Sequence, residues 1–255
     1  VAAPKSAKPR EMTTTLPKGM LAGIPASIGT EALRQAAEKG NAAAVYELAS
    51  RLAEGRGMPR DMKMAARLFE AQAEAGFAPA QYRIANHYEK GFGVDRDLAK
   101  AREWYQRAAE AGNAKAMHNL AVLYAEGVSG KPDYPTAVKW FRKAAELGVR
   151  DSQFNLAILA ARGLGMEADL AQSYTWFAIL AENGDADAAE KRDSVGARLS
   201  PTDLTLARAA ADQWVVKTPD PAANTVEVSP EWNKPSVPRG TTGDASTGGK
   251  TKSRG

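Results

Sequence analysis

The stretch FAPAQYRIANHYEKGFGVDRDLAKAREWYQRAAEAG, residues 77–112, carries two helical patterns around one glycine-marked joint. Ile84, Ala85 and Tyr88 recur at a spacing of three to four, which lays them on one helix face. Gly91 and Gly93 interrupt that pattern, and Asp97 opens a second one through Ala101, Trp104, Tyr105, Ala108 and Ala109. Glycine ends a helix in the left-handed conformation at no steric cost. An aspartate heading the next helix accepts hydrogen bonds from its free backbone N–H groups. The stretch therefore reads as a helix–loop–helix hairpin closed by Gly112.

The same pattern fits residues 41–76, 113–148 and 149–184 without a gap. Within each block of 36 residues, position 9 is Ala (Ala49, Ala85, Ala121, Ala157), and position 15 is Gly (Gly55, Gly91, Gly127, Gly163). Position 21 is Asp (Asp61, Asp97, Asp133, Asp169), and position 33 is Ala (Ala73, Ala109, Ala145, Ala181). Positions 28 and 29 hold the large residues Leu68, Trp104, Trp140, Trp176 and Phe69, Tyr105, Phe141, Phe177. A constant period of this size belongs to units that bury their apolar faces only against their neighbours. The predicted fold is all-α: a right-handed α-solenoid of antiparallel helix pairs, with four complete 36-residue repeats plus capping helices.

Outside the four blocks, Thr30–Gly40 matches the end of a second helix, and Asp185–Leu199 one more first helix. Ser200-Pro201-Thr202-Asp203 is a strong helix start, with the helix expected to reach about Val216. Residues 21–216 thus form one solenoid. Residues 1–20 are expected to be a flexible Pro/Lys-rich linker cut from a longer protein. Residues 217–255, with five Pro followed by Gly, Thr and Ser, are expected to be a disordered tail.

Composition removes several function classes. The 255 residues contain 51 Ala and 36 Val, Ile and Leu, which suits closely approaching helices rather than sheets. No Cys is present, so disulfides, zinc–thiolate sites and cysteine nucleophiles are excluded. The +4 net charge is concentrated outside 21–216, where the balance is −1, so a nucleic-acid partner is not expected. No run of 18 apolar residues exists, so any membrane attachment would come from a span outside this chain.

The pattern of 77–112, repeated over 41–184, resembles the Sel-one-like repeat, a relative of the tetratricopeptide repeat. Ser129 departs from it by replacing the second loop glycine. Leu21–Gly40, Ala80-Gln-Tyr-Arg-Ile, Ala116-Met-His-Asn-Leu-Ala and Asp151-Ser-Gln-Phe-Asn-Leu further resemble the periplasmic C-terminal region of PodJ-type polar organelle development proteins. That resemblance implies a periplasmic interaction domain, tethered to the inner membrane at the cell pole. Its partners would be other proteins or peptides of the cell envelope, with peptidoglycan as a further surface.

Catalysis finds few candidates. The recurring Gly-x-Gly pairs sit at helix ends rather than after a strand, so they do not cradle phosphate. The four aspartates read as helix caps about 10 Å apart, one per repeat. His87 and His118 have no serine and acid beside them in the sequence. No catalytic residue, cofactor or metal site is assigned. In tetratricopeptide-like solenoids the first helices line the concave face, and by phase this implies a partner-binding row. Position 6 would contribute Tyr46, Tyr82, His118 and Phe154; position 10, Asn86, Val122 and Ile158; position 14, Lys90 and Arg162. The expected function is a non-enzymatic scaffold. The alternatives are a soluble periplasmic regulator of a sensor kinase and a peptidoglycan- or glycan-associated envelope module, toward which only Trp232 points.

Overall fold

The computed structural model describes residues 13–128 and 130–233. Every described repeat is a pair of helices of equal length. The first helices are α2 (Ala42–Glu54), α4 (Ala78–Lys90), α6 (Ala114–Glu126) and α8 (Arg150–Arg162). The second helices are α3 (Met62–Glu74), α5 (Leu98–Glu110), α7 (Tyr134–Glu146) and α9 (Leu170–Glu182). Helix α1 (Glu31–Glu38) precedes them; α10 (Ala186–Gly196), α11 (Pro201–Asp212) and the single turn α12 (Pro221–Asn224) follow. Neighbouring helices pack in chain order, so the array is an α-solenoid.

The local signals act as the spacing requires. Asp61, Asp97, Asp133 and Asp169 accept hydrogen bonds from backbone N–H groups in the first turns of α3, α5, α7 and α9. Gly55, Gly91, Gly127 and Gly163 close the first helices in the left-handed conformation. Phe69, Tyr105, Phe141 and Phe177 are fully buried. Gln81 and Gln153 each donate to the carbonyl of the preceding repeat's position-33 alanine, at 3.1 Å. These bonds lock the seams entering repeats two and four.

The second loop glycine has a reason beyond ending a helix. A Cβ at Gly93 (φ +72°) would lie 2.7 Å from the amide nitrogen of Lys63 and closer still to the carbonyl of Met62. Gly165 meets Tyr134 and Pro135 in the same way. The loop of each of these repeats thus touches the start of the second helix one repeat earlier, where there is no room for a side chain. The corresponding residue of the third block, Ser129, lies outside the described residues.

The ends depart from expectation. Helix α11 stops at Asp212, four residues short of Val216. Rather than forming a fifth hairpin with α10, it lies chiefly against α9. Its Arg208 donates to the Tyr174 hydroxyl (3.2 Å), and Trp214, just beyond it, stands edge-on to Trp176 at 5.9 Å.

Residues 217–233 are not a free tail. They run back along the loops that join each second helix to the next first helix. Lys217 N–H donates to Glu146 O (2.9 Å). Asn113 Nδ2 donates to Ala223 O (2.6 Å), and Ala114 N–H to Asn224 Oδ1 (2.8 Å). Arg51 Nη2 donates to Trp232 O (3.0 Å) and to Asn233 Oδ1 (2.7 Å). Trp232 is 7% exposed, seated at the N-terminal end of the array, and so does not offer a ring to a glycan. These bonds join residues 71 to 182 positions apart, which no local pattern records. At the other terminus, Thr13 pairs antiparallel with Asn41 and Thr14 is buried, so residues 13–20 are not a free linker either. Residues 1–12 and 234–255 lie outside the described residues.

Candidate functional site

The position-6 residues do not form an open row. Each stands on the position-29 ring of its own repeat: Tyr46 on Phe69 (5.3 Å between centroids), Tyr82 on Tyr105 (6.0 Å), His118 on Phe141 (5.7 Å) and Phe154 on Phe177 (5.4 Å). All four are half-buried. The antiparallel partner helix brings position 29 beneath position 6, and an aromatic ring there gains more from covering the core than from facing solvent. What remains open on the first helices is their margin. Val122 and Ile158 are half-buried on the core, while Lys90 and Arg162 are exposed.

Position 7 carries part of the face, and the sequence reading passed over it. Glu47, Arg83, Asn119 and Asn155 occupy it in the four repeats. Glu47 is buried and paired with Arg51 at 2.7 Å and Arg56 at 3.0 Å. Arg83 holds its guanidinium 5.0 Å from the centre of the Phe69 ring, and its Nε has no hydrogen-bond partner among the described residues. The available signal was Asn at the same phase in two successive repeats.

One buried oxygen joins repeats two and three. The Tyr105 hydroxyl donates to Glu89 Oε2 (2.7 Å) and accepts from Asn86 Nδ2 (3.0 Å) and Asn119 Nδ2 (2.8 Å). Burial, reinforced by the Glu89 carboxylate, pushes the phenol above its ordinary pKa, so it stays protonated as a donor. Asn86 is thus committed to the core rather than to a ligand. The other three repeats carry Phe at this position, so Tyr105→Phe fits sterically while leaving a carboxylate and two amides short of a partner. It is expected to lower stability by about 2 kcal/mol. Urea unfolding checks this, and an unchanged midpoint would contradict the role assigned to the hydroxyl.

Both histidines are structural. His87 is buried and donates Nδ1–H to Phe92 O (2.6 Å). The fold brings His118 to a serine and an acid that the sequence does not place beside it: Nδ1 lies 2.8 Å from Ser152 Oγ, with Asp151 nearby. Ser152 is fully buried, so the pair fastens repeat three to repeat four rather than presenting a nucleophile. Burial lowers the pKa of both imidazoles below the ordinary value. Unfolding therefore takes up protons at acid pH. Stability is complete above about pH 6.5, the unfolded value, and falls as pH drops through it. The melting temperature is expected to decrease from pH 7.5 to 5.5, and less so in a His87→Gln/His118→Gln chain. Equal slopes in the two chains would refute this.

Among the described residues no group of His, Asp and Glu is arranged to hold a metal ion, and no helix is long and apolar enough to cross a membrane.

The Sel1 repeat family model matches residues 42–77, 78–113, 114–149 and 150–185, more than half of the chain. A Sel1 repeat protein from Oxalobacter formigenes is 26% identical, with TM-score 0.59, over 69% of this chain and 74% of its own. A protective antigen present in uropathogenic Escherichia coli strains, displaying an SLR fold, is 25% identical with TM-score 0.45, over 87% of this chain and 52% of its own. A putative sel1 repeat protein from Klebsiella pneumoniae is 23% identical with TM-score 0.42, over 64% of this chain and 81% of its own. A search of curated proteins finds no match. The family matches begin at the first residues of α2, α4, α6 and α8 and keep the 36-residue step of the helix pairs, and the chain belongs to the Sel1 repeat family.

Proposed function

We propose that this chain is the periplasmic interaction module of a membrane-anchored scaffold that organises the bacterial cell pole, docking envelope proteins or peptides on the first-helix face. The Sel1 solenoid is typically a non-catalytic interaction fold, which supports the scaffold part of the reading. The polar and periplasmic parts rest on the resemblance of Leu21–Gly40 and Asp151–Leu156 to PodJ-type proteins.

The observation that carries the docking face is a run of side chains that the core consumes only in part. Asn155 is half-exposed and makes no hydrogen bond among the described residues; Ile158 is half-exposed beside it; Arg162 is exposed with no ion pair among them. One helix thus offers a donor, an apolar surface and a cation in line, which suits a peptide of mixed character. Tyr82 and Phe154 would be poor test positions, because truncating either also uncovers a core ring.

The test uses envelope extract and the full chain carrying Asn155→Ala and Arg162→Glu. The wild-type chain is expected to retain a set of envelope proteins that the double variant loses, with helicity equal in both. Retention of the same set by the variant would remove this face. A uniform distribution of the fluorescently tagged parent protein, rather than a polar focus, would remove the polar assignment.

A further inference from the structure

The solenoid holds its own C-terminal segment as it would hold a peptide ligand. Two anchors fix it. The first is Asn224, whose side chain accepts from Ala114 N–H (2.8 Å) and donates to Gly112 O (3.0 Å), while Asn113 Nδ2 holds the preceding carbonyl at 2.6 Å. The second lies eight residues on. There Trp232 is buried, and Arg51 grips its carbonyl and the Asn233 side chain. Arg51 is itself held by Glu47 and the Ile28 carbonyl, two contacts that do not involve the segment.

Between the anchors the fit is poor. An open cavity of about 620 Å³ lies between the segment and repeat one, walled by Ala42, Ala43, Phe77, Val226 and Trp232. Among the described residues Val226, Glu227 and Val228 make no backbone hydrogen bond, although the stretch Thr225–Val228 is rich in β-branched residues. Val228 is 38% exposed. A Cβ at Gly112 would lie 3.7 Å from Ala223 and one at Gly148 would lie 2.8 Å from Val216, whereas one at Gly76 would meet nothing within 4 Å among the described residues. Between α11 and Lys217, the Val215 side chain is 78% exposed.

We propose that the loop edge of the array, from Asn41 to Ala114, is a peptide-binding site and that residues 220–233 are its tethered, displaceable occupant. Its ligand is an extended peptide bearing an asparagine and, eight residues later, a Trp-Asn pair. Between these anchors the ligand carries larger apolar side chains than the two valines of the tether. A tethered occupant competes at high effective concentration, so a free peptide must bind better than the tether. Filling the cavity supplies the difference: one further buried aliphatic or aromatic side chain tightens binding about tenfold or more. The first anchor lies on an inter-repeat loop and the second on the last turn of α2, and neither includes Asn155 or Arg162, so the two tests succeed or fail separately.

The probe is a fluorescein-labelled peptide with the sequence of residues 219–234, carrying Leu in place of Val226 and Phe in place of Val228. Anisotropy is read against the wild-type full chain and against the full chain with Asn224→Ala and Trp232→Ala, which loosens the tether. The peptide is expected to bind the loosened chain at least tenfold more tightly than the wild type. Replacing its Asn and Trp by Ala should abolish binding, and adding Asn113→Ala to the loosened chain should weaken it about tenfold. Absence of binding to a loosened chain of wild-type helicity, or equal binding by the Ala-substituted peptide, would overturn the proposal. Hydrogen exchange on the wild-type chain gives a test that needs no variant. The amides of Ala114 and Lys217 should exchange at least a hundredfold faster than those of Ile84 and Leu120, because the tether opens without the array. Equal rates would overturn a displaceable tether.

Discussion

Gly93→Ala is expected to cost the array about 4 kcal/mol, near the upper end for a single substitution. Two effects combine. The residue sits at φ +72°, where a side chain is strained, and its Cβ would drive into the Met62 carbonyl and the Lys63 amide. Those are backbone groups at the start of α3, so no rotamer change relieves the contact; either α3 frays or repeats one and two move apart. Gly76→Ala is the control. Its φ is +89° but none of the described residues lies within 4 Å of the added methyl, so only the conformational cost of about 1 kcal/mol applies. Guanidinium unfolding of the two variants separates packing from backbone strain. In a solenoid each repeat is held by its neighbours, so Gly93→Ala should also split the transition as the N-terminal part melts first. Equal midpoints for the two variants would show that the loop-to-helix contact does not bind the repeats together.

Arg51→Leu is expected to cost about 3–5 kcal/mol, as for a buried ion pair that loses one partner. Arg51 is 8% exposed and meets four groups at once: Glu47 Oε1, the Ile28 carbonyl, the Trp232 carbonyl and Asn233 Oδ1. A leucine leaves Glu47, itself 5% exposed, with only the more exposed Arg56, and strands two carbonyls. Arg56→Ala, which removes a partner whose side chain is 45% exposed, should cost about 1 kcal/mol or less. Thermal melts of the two variants decide the point. The loss in Arg51→Leu should come with faster hydrogen exchange around Trp232, since the same side chain fastens the C-terminal segment to the N-terminal end. Comparable losses in the two variants would show that the buried guanidinium has no special weight.

Most of the fold was legible because its causes are local and repeated. Ile84, Ala85 and Tyr88 declare a helix face by spacing alone, and Asp97 declares a helix start by chemistry alone. Four copies at one phase turn these weak signals into an array. The candidate site was less legible, because which way a half-buried ring leans depends on its partner helix. Tyr82 and Phe154 could face a ligand or the core from sequence alone, and Tyr105 and Phe177 decide for the core. Tyr105 itself stood out only as a hydroxyl where its counterparts have none. Its bonds to Asn86, Glu89 and Asn119 require two first helices to be stacked before they exist.

The sequence by itself determined the helix pairs, their period, their caps and the family, because each depends on residues within one 36-residue span. Only the tertiary structure decided where residues 217–233 go, what Trp232 and Arg51 hold, and why the second loop glycine admits no methyl group. Those contacts join segments up to 201 residues apart, through backbone carbonyls and side chains that follow no period. The composition that reads as a tail, rich in Pro and poor in helical pattern, suits an extended chain as well as a free one. The bonds it finds on the array, such as those from Asn113 and Arg51 to its carbonyls, distinguish the two.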